Sequence, residues 1–311
     1  KPFGGEIEGN KLFGRGANDM KAGIAANLFV LETLRTLEIK LLGDLVIETV
    51  VDEEFGGVNG TLAGRLLGFN ADAAILTEPT SLRVCPAQRG GRTAHIRFEA
   101  PNTGILGTRG PSAVEQLRVF LNAASEFAAT RRRSARAHPY YRHLDNPVPA
   151  NVTRIQTAPW GVSEPPNVPS ECMLEFFWEA MPGETLPDID GEFNSWLDAL
   201  LQAHPSLFTT RPEVVFPIRW LPGSALDPEA KLIQELSRCA AEVRGSTPLI
   251  QGIEGPCDLF VFHEFGIPTV LWGARGGNTH NPDEYVELDS LVEAAAVLLA
   301  FVCRWCGVSR S

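Results

Sequence analysis

Five residues carry the chemical potential of this sequence: Asp19, Glu53, Glu54, Glu78 and His280. Each falls at the end of a segment that would deliver it to a common edge. Asp19 closes the Gly-rich stretch Gly14-Arg15-Gly16-Ala17-Asn18 just before a helical pattern. The apolar run Leu45–Val51 leads straight into Asp52-Glu53-Glu54-Phe55-Gly56-Gly57. Ala73–Thr77 leads into Glu78-Pro79, and Pro268–Trp272 leads into a Gly-rich loop ending Asn278-Thr279-His280. Open parallel sheets place their sites at the carboxyl ends of their strands, and carboxylates mixed with imidazole suit zinc. A pair of divalent ions needs a bridging carboxylate, terminal ligands and one carboxylate left free as a base. Any one of these acids alone reads most simply as a helix cap or a solvated loop residue. Their joint placement argues for more, because adjacent Glu53 and Glu54 at a strand end cannot both point the same way, which leaves one for metal and one for water.

The elements that must position them read as α/β. Leu45–Val51, Ala73–Thr77 and Pro268–Trp272 are short, continuous and rich in Val, Ile and Leu, as strands buried on both faces are. A helix is expected over Met20 to Leu37 from the spacing of Ile24, Leu28, Leu31 and Leu34. From Thr93 the texture changes to alternation through Glu99, followed by a helix with a capping-box start at Ser112-Ala113-Val114-Glu115. Further strands are expected at Asn151–Thr157, Cys172–Trp178 and Glu213–Pro217, with a second helix over Gly191–Ala203. The α/β texture returns at Asp227-Pro228, an N-cap followed by proline, leading into Glu229–Val243. Asp289 is expected to cap a final helix that stops before Gly307. The expected organisation is a catalytic α/β domain in two parts, 1–92 and 223–311, interrupted by an α+β domain over 93–222.

Composition narrows the partners. Lys+Arg of 27 against Asp+Glu of 38 gives a net charge of −11, which argues against nucleic acid and anionic membrane surfaces. No apolar run reaches the roughly 20 residues of a membrane span. Six scattered cysteines suit a reducing compartment, so a cytoplasmic location is expected. Cys303 and Cys306 share a spacing that is one face of an apolar helix, and packing is the simpler reading. His95 and His263 read as core or surface histidines, His138 and His143 as residues of a polar loop. Arg131-Arg132-Arg133 reads as a solvated helix end favoured by the helix dipole. No Gly-x-Ser-x-Gly elbow, P-loop or dinucleotide fingerprint is present.

Taken together, Gly14-Arg15-Gly16-Ala17-Asn18-Asp19-Met20-Lys21, Asp52-Glu53-Glu54-Phe55-Gly56-Gly57, Thr77-Glu78-Pro79 and Gly277-Asn278-Thr279-His280-Asn281-Pro282-Asp283-Glu284 resemble the motifs of the acetylornithine deacetylase, succinyl-diaminopimelate desuccinylase and aminoacylase family, dinuclear zinc amidohydrolases of peptidase family M20. The resemblance implies a zinc-exopeptidase-like, mostly parallel sheet flanked by helices, with an inserted α+β lid and dimerisation domain. It implies that Asp19 bridges two zinc ions, that Glu54 and Glu78 are terminal carboxylate ligands, that His280 is the imidazole on one zinc, and that Glu53 is the general base. Cobalt or manganese accept overlapping ligands.

The sequence also departs from that family. The family carries a His-x-Asp motif upstream of the segment resembling Lys1–Lys11, and this chain is expected to be a piece of a longer protein. The stretch Pro101–Gly107 holds no histidine where relatives offer one to an oxyanion. Glu179-Ala180-Met181-Pro182-Gly183 places an acid where many relatives hold a substrate carboxylate with arginine. The expected activity is metal-dependent hydrolysis of the amide of an N-acyl amino acid or small peptide by a homodimer. The alternative is a non-catalytic relative that serves as a binding or dimerisation partner.

Overall fold

The computed structural model describes residues 1–101, 103–104, 111–157 and 167–309. The chain divides into two compact units, Lys1–Gln88 with Ser224–Ser311, and Arg89–Gly223.

In the first unit a four-stranded antiparallel sheet runs in the order Ile7–Glu8, Lys11–Phe13, Tyr285–Glu287, Gly276–Gly277. Its central register pairs Phe13 with Tyr285 and Lys11 with Glu287. The segment leading to Asp19 is thereby paired with Tyr285–Glu287, one of the two strands that flank the His280 loop. A separate parallel pair, Ala74–Leu76 with Thr269–Leu271, aligns Ile75 with Val270 and ends just short of Glu78. Helices Ala22–Thr36 and Leu288–Cys306 pack through Val30, Leu34, Leu298 and Val302, joined by Ile75, Cys303 and Cys306. At roughly 1.5–3 kcal/mol for each fully buried large aliphatic side chain, this seam is a main source of the unit's stability. The Ala22–Thr36 helix approaches the Thr77 backbone so closely that a Cβ on Gly23 would lie 2.1 Å from the Thr77 carbonyl oxygen. Helix Lys231–Arg244 ends on Gly245 at φ +69°, the left-handed closure that glycine adopts without penalty.

Three expectations change here. Asp289 does not cap the final helix, since it lies inside Leu288–Cys306, whose N-cap is Glu287. Leu45–Val51 forms no strand and no ladder with any strand among the described residues. Its Leu45 and Ile47 are half-buried while Val46 and Val51 are exposed. An apolar run signals a tendency to pair, but a ladder also needs a neighbouring backbone in register. Asp227 does not cap the following helix, which begins at Lys231 after Ala230; the Asp227 carboxylate instead accepts from the Glu229 N–H within the preceding turn.

The second unit is built on an antiparallel sheet in the order Glu213–Val215, Gly90–Glu99, Glu171–Ala180, Ala150–Gln156. Ten residues of Gly90–Glu99 pair with Glu171–Ala180 without a break. Alternation puts Ala94, Ile96, Phe98, Leu174, Phe176 and Trp178 on one face, where helices Ala113–Ser134 and Leu186–Ala203 cover them with Phe120, Phe127, Ile189 and Phe193. Trp178 stacks on Phe193 with ring centroids 4.8 Å apart. Thr185 and Asp188 close a reciprocal capping box, so the second helix starts at Leu186, five residues before the position expected. The Ser112 hydroxyl accepts from the Glu115 N–H, but the Glu115 carboxylate pairs with Arg118.

Arg131 is a correction. It lies inside its helix and is buried, with its guanidinium on the carboxylates of Glu184 and Glu192 and the carbonyl of Glu179. Only four residues after the core residue Phe127, it falls on the same helix face, and the acids from the other helix and its approach make that face habitable for a charge. Glu179 is itself buried against Arg89 at 2.5 Å, which neutralises the acid flagged by the sequence. Most of the Pro101–Gly107 stretch, and the central part of the proline-rich segment after Pro147, lie outside the described residues. All six cysteines are free thiols. No helix among the described residues is long and apolar enough to cross a membrane.

Candidate metal centre

Asp19 is delivered by strand Lys11–Phe13 and a single wide turn over Ala17–Lys21, in which Asp19 and Met20 leave the helical backbone region. Gly16, at φ +74°, starts that turn, and the Asp19–Met20 peptide bond is cis. The turn's amides converge on Glu284, whose side chain is 1 % exposed. Glu284 Oε1 accepts from the Asn18 and Asp19 N–H groups at 3.0 Å each, and Oε2 accepts from the Gly16 N–H at 2.8 Å and the Arg15 guanidinium at 2.9 Å. Burial pushes this carboxyl up, but those amides and the Arg15 charge outweigh it and hold the group below the ordinary carboxylate range.

Glu53 and Glu54 occupy a tight turn, Glu53–Phe55, bounded by Asp52 at φ +71° and Gly56 at φ +95°. Gly57, at φ +66°, has no room for a side chain because a Cβ there would lie 2.2 Å from Asp258 Oδ1. The turn separates the two acids. Glu54 is exposed and meets His280, whereas Glu53 is half-buried and faces the neighbourhood of Asp258.

His280 sits in the loop between strands Gly276–Gly277 and Tyr285–Glu287, with Asn278, His280 and Asp283 all in the left-handed region. Its Nε2 lies 3.2 Å from Asp19 Oδ2 and 3.0 Å from Glu54 Oε2. One donor atom from each of Asp19, Glu54 and His280 falls within 4.8 Å of the others. Glu78 lies behind Asp19, buried at the end of strand Ala74–Leu76. Burial first, then the charges of Glu53 and Asp19, raise its carboxyl well above the ordinary range, and a hydrogen bond with the Asp19 side chain acts in the same direction. Glu53 is pushed up to about 8, by burial and then by Asp258, Glu54 and Asp19, while the Asp258 backbone N–H, donating to Glu53, works in the opposite direction.

All five residues singled out from sequence are thus found in one unit, with Asp19, Glu54 and His280 in direct contact and Glu53 and Glu78 within electrostatic reach. Sequence reasoning missed two partners. Asp258 is buried and accepts from the Thr61 hydroxyl at 2.5 Å; its only local signal is an acid preceding the apolar run Leu259–Phe262. Glu284 was visible as a motif position without a role. His95 pairs with Glu175 in the second unit, and His263 lies between Ser224 and the Thr269 carbonyl; neither is a member of the three-group cluster.

The structure brings carboxylates and an imidazole of a mixed α/β chain together, donor types that a metal ion accepts. The comparisons give the class. Residues 1–304 match Peptidase family M20/M25/M40, and the chain belongs to that family. It is 27 % identical over 331 residues to N-formyl-4-amino-5-aminomethyl-2-methylpyrimidine deformylase of Bacillus subtilis, covering 98 % of this chain and 74 % of that protein. Acetylornithine deacetylase of Salmonella typhimurium is 26 % identical over 313 residues, covering 98 % and 75 %. The crystal structure of human carnosine dipeptidase 1 superposes with a TM-score of 0.74 at 15 % identity, covering 97 % of this chain and 74 % of that one, a likeness of fold.

Proposed function

We propose that the protein hydrolyses the amide bond of a small N-acylated amino compound or peptide, with a divalent metal, zinc foremost, held by Asp19, Glu54, Glu78 and His280. The observation that carries this reading is the contact of His280 with both Asp19 and Glu54 while the adjacent Glu53 faces elsewhere. The donor set fits the metal. Carboxylate oxygens and an imidazole nitrogen are what zinc, cobalt and manganese accept, and arriving positive charge would favour the ionised form of Glu78, which burial and then the charges of Glu53 and Asp19 disfavour. Asp19, Glu54 and His280 would hold one ion, and Asp19 with Glu78 would face a second. A bound ion supplies Lewis acidity toward a carbonyl oxygen and toward water.

The chain's own contribution is proton transfer. Glu53, next to the ligand Glu54 but facing elsewhere, takes a proton from water as that water attacks the amide carbon. It then gives the proton to the amine nitrogen as the C–N bond breaks. The names of the deformylase and deacetylase relatives support a short acyl group, formyl or acetyl, on the substrate nitrogen. The Arg89–Gly223 unit corresponds in this reading to the inserted lid and dimerisation domain, and the six free thiols support a cytoplasmic setting.

The test is turnover of a panel of N-formyl and N-acetyl amino acids, N-formyl amines and dipeptides with zinc, cobalt or manganese added. Metal-dependent release of a free amine from at least one acyl class is expected. Failure across the panel with every metal would overturn the reading.

A further inference from the structure

Glu284 has a place in the fold that neither a cap nor a surface acid explains. A buried carboxylate is costly unless its lone pairs are occupied, and here each oxygen accepts two hydrogen bonds, three of the four from backbone amides of the turn that carries Asp19. Its own carbonyl accepts from the Gly14 N–H at 2.9 Å. Two further contacts fasten the same pair of loops. Asn18 Nδ2 donates to Thr279 Oγ1 at 2.8 Å, and a Cβ on Gly276 would lie 2.1 Å from Asn18 Oδ1.

We infer that Glu284 is a positioning residue that holds the Asp19 turn against the His280 loop in metal-binding geometry before any metal arrives. This rests on the reading of Asp19, Glu54 and His280 as ligands. Asp19 contributes its N–H to Glu284 and its carboxylate to His280, so one residue is fixed from both ends. Without the clamp, the turn's amides would have to find other acceptors, and the Asp19 carboxylate would lose its register with Nε2 of His280. Groups that orient metal ligands typically govern metal affinity about 10- to 100-fold.

Glu284→Gln is the informative substitution because the amide cannot satisfy both ends. With its oxygen toward Asn18 and Asp19, its NH2 faces the Gly16 N–H and Arg15; flipped, it faces Asn18 and Asp19. Either orientation sets donor against donor. Cobalt(II) titration followed by its visible absorption is expected to show at least about tenfold weaker binding per folded molecule. Leu298→Ala, in the helix seam of the same unit, controls for general destabilisation and is expected to keep cobalt affinity within about threefold, since separated sites without shared partners act independently. Glu284→Gln with affinity within that same range would overturn the clamp. A measurement that needs no variant is amide hydrogen exchange of the metal-free protein. Slow exchange at Gly16, Asn18 and Asp19 is expected, and fast exchange at all three would overturn it. A wild-type chain that takes up no cobalt would overturn the ligand reading and the clamp together, whereas wild-type binding that Glu284→Gln leaves intact would overturn the clamp alone.

Discussion

Gly57 and Asp258 meet so closely that the glycine's missing side chain is a structural requirement: a Cβ would stand 2.2 Å from Asp258 Oδ1 and 2.5 Å from Oδ2. The contact joins the turn carrying Glu53 and Glu54 to the segment before helix Leu259–Glu264, and the same Asp258 supplies the backbone N–H that Glu53 accepts. Backbone and carboxylate of one residue thus set where the acidic turn lies.

Gly57→Ala is expected to displace that turn. The substitution meets a left-handed φ of +66° as well as the collision, and a glycine replaced where φ is positive costs more than about 1 kcal/mol. Urea unfolding should show the loss, and metal uptake should fall with it. A variant with unchanged midpoint and metal affinity would refute the account of the turn.

Glu53→Gln and Glu54→Gln separate base from ligand. Glutamine keeps the shape of Glu53 but cannot take the proton, so kcat is expected to fall about 100- to 10,000-fold with little change in KM or metal content. Glu54→Gln is expected to lose metal first, because a neutral amide is a poor zinc ligand. Metal analysis beside steady-state kinetics reads both; the reverse pattern would exchange the two roles.

Metal itself is expected to stabilise the fold. An ion that binds only the native state contributes about 2.7 kcal/mol at a free concentration a hundredfold above its Kd. Relief of the repulsion among Asp19, Glu53 and Glu78 acts in the same direction. Thermal unfolding should therefore shift upward with zinc and return with a chelator, and no shift at saturating metal would count against the centre.

His263 offers a pH test away from the centre. Its Nε2–H donates to the Thr269 carbonyl at 3.0 Å, and its Nδ1 lies 2.7 Å from the Ser224 hydroxyl, from which it accepts when the ring is neutral. Burial lowers its pKa below the ordinary 6.5, although the Thr269 bond acts the other way. The native state therefore binds fewer protons than the unfolded chain between the lowered value and 6.5. The contribution is complete above pH 6.5 and is lost as pH falls through the folded value. His263→Asn should flatten this part of the stability profile; an unchanged slope would assign it elsewhere.

Arg131→Met is expected to destabilise the Arg89–Gly223 unit by about 1–3 kcal/mol, the cost of leaving the half-buried Glu184 and Glu192 carboxylates and the Glu179 carbonyl without their donor. Adding Glu184→Gln and Glu192→Gln to that variant should restore part of the loss, which chemical unfolding of the three forms can measure.

The sequence alone contained the family and the acids. Gly-rich turns, apolar runs and the residues that follow them are local patterns, so Asp19, Glu53, Glu54, Glu78 and His280 could be singled out, and the alternation through Thr93–Glu99 marked the strand that is observed as Gly90–Glu99. Leu45–Val51 looked like a strand by composition, but pairing depends on a neighbour that composition does not contain. Arg131 looked solvated because its acids, Glu184 and Glu192, come from a distant segment that only folding brings beside it. Glu284 could be read as part of a motif, but its task depends on three amides 265 to 268 positions earlier in the chain. Amide direction leaves no mark in residue type, since every non-proline residue carries the same N–H. Tertiary structure alone decides where those donors point, and therefore which acid holds the Asp19 turn in place.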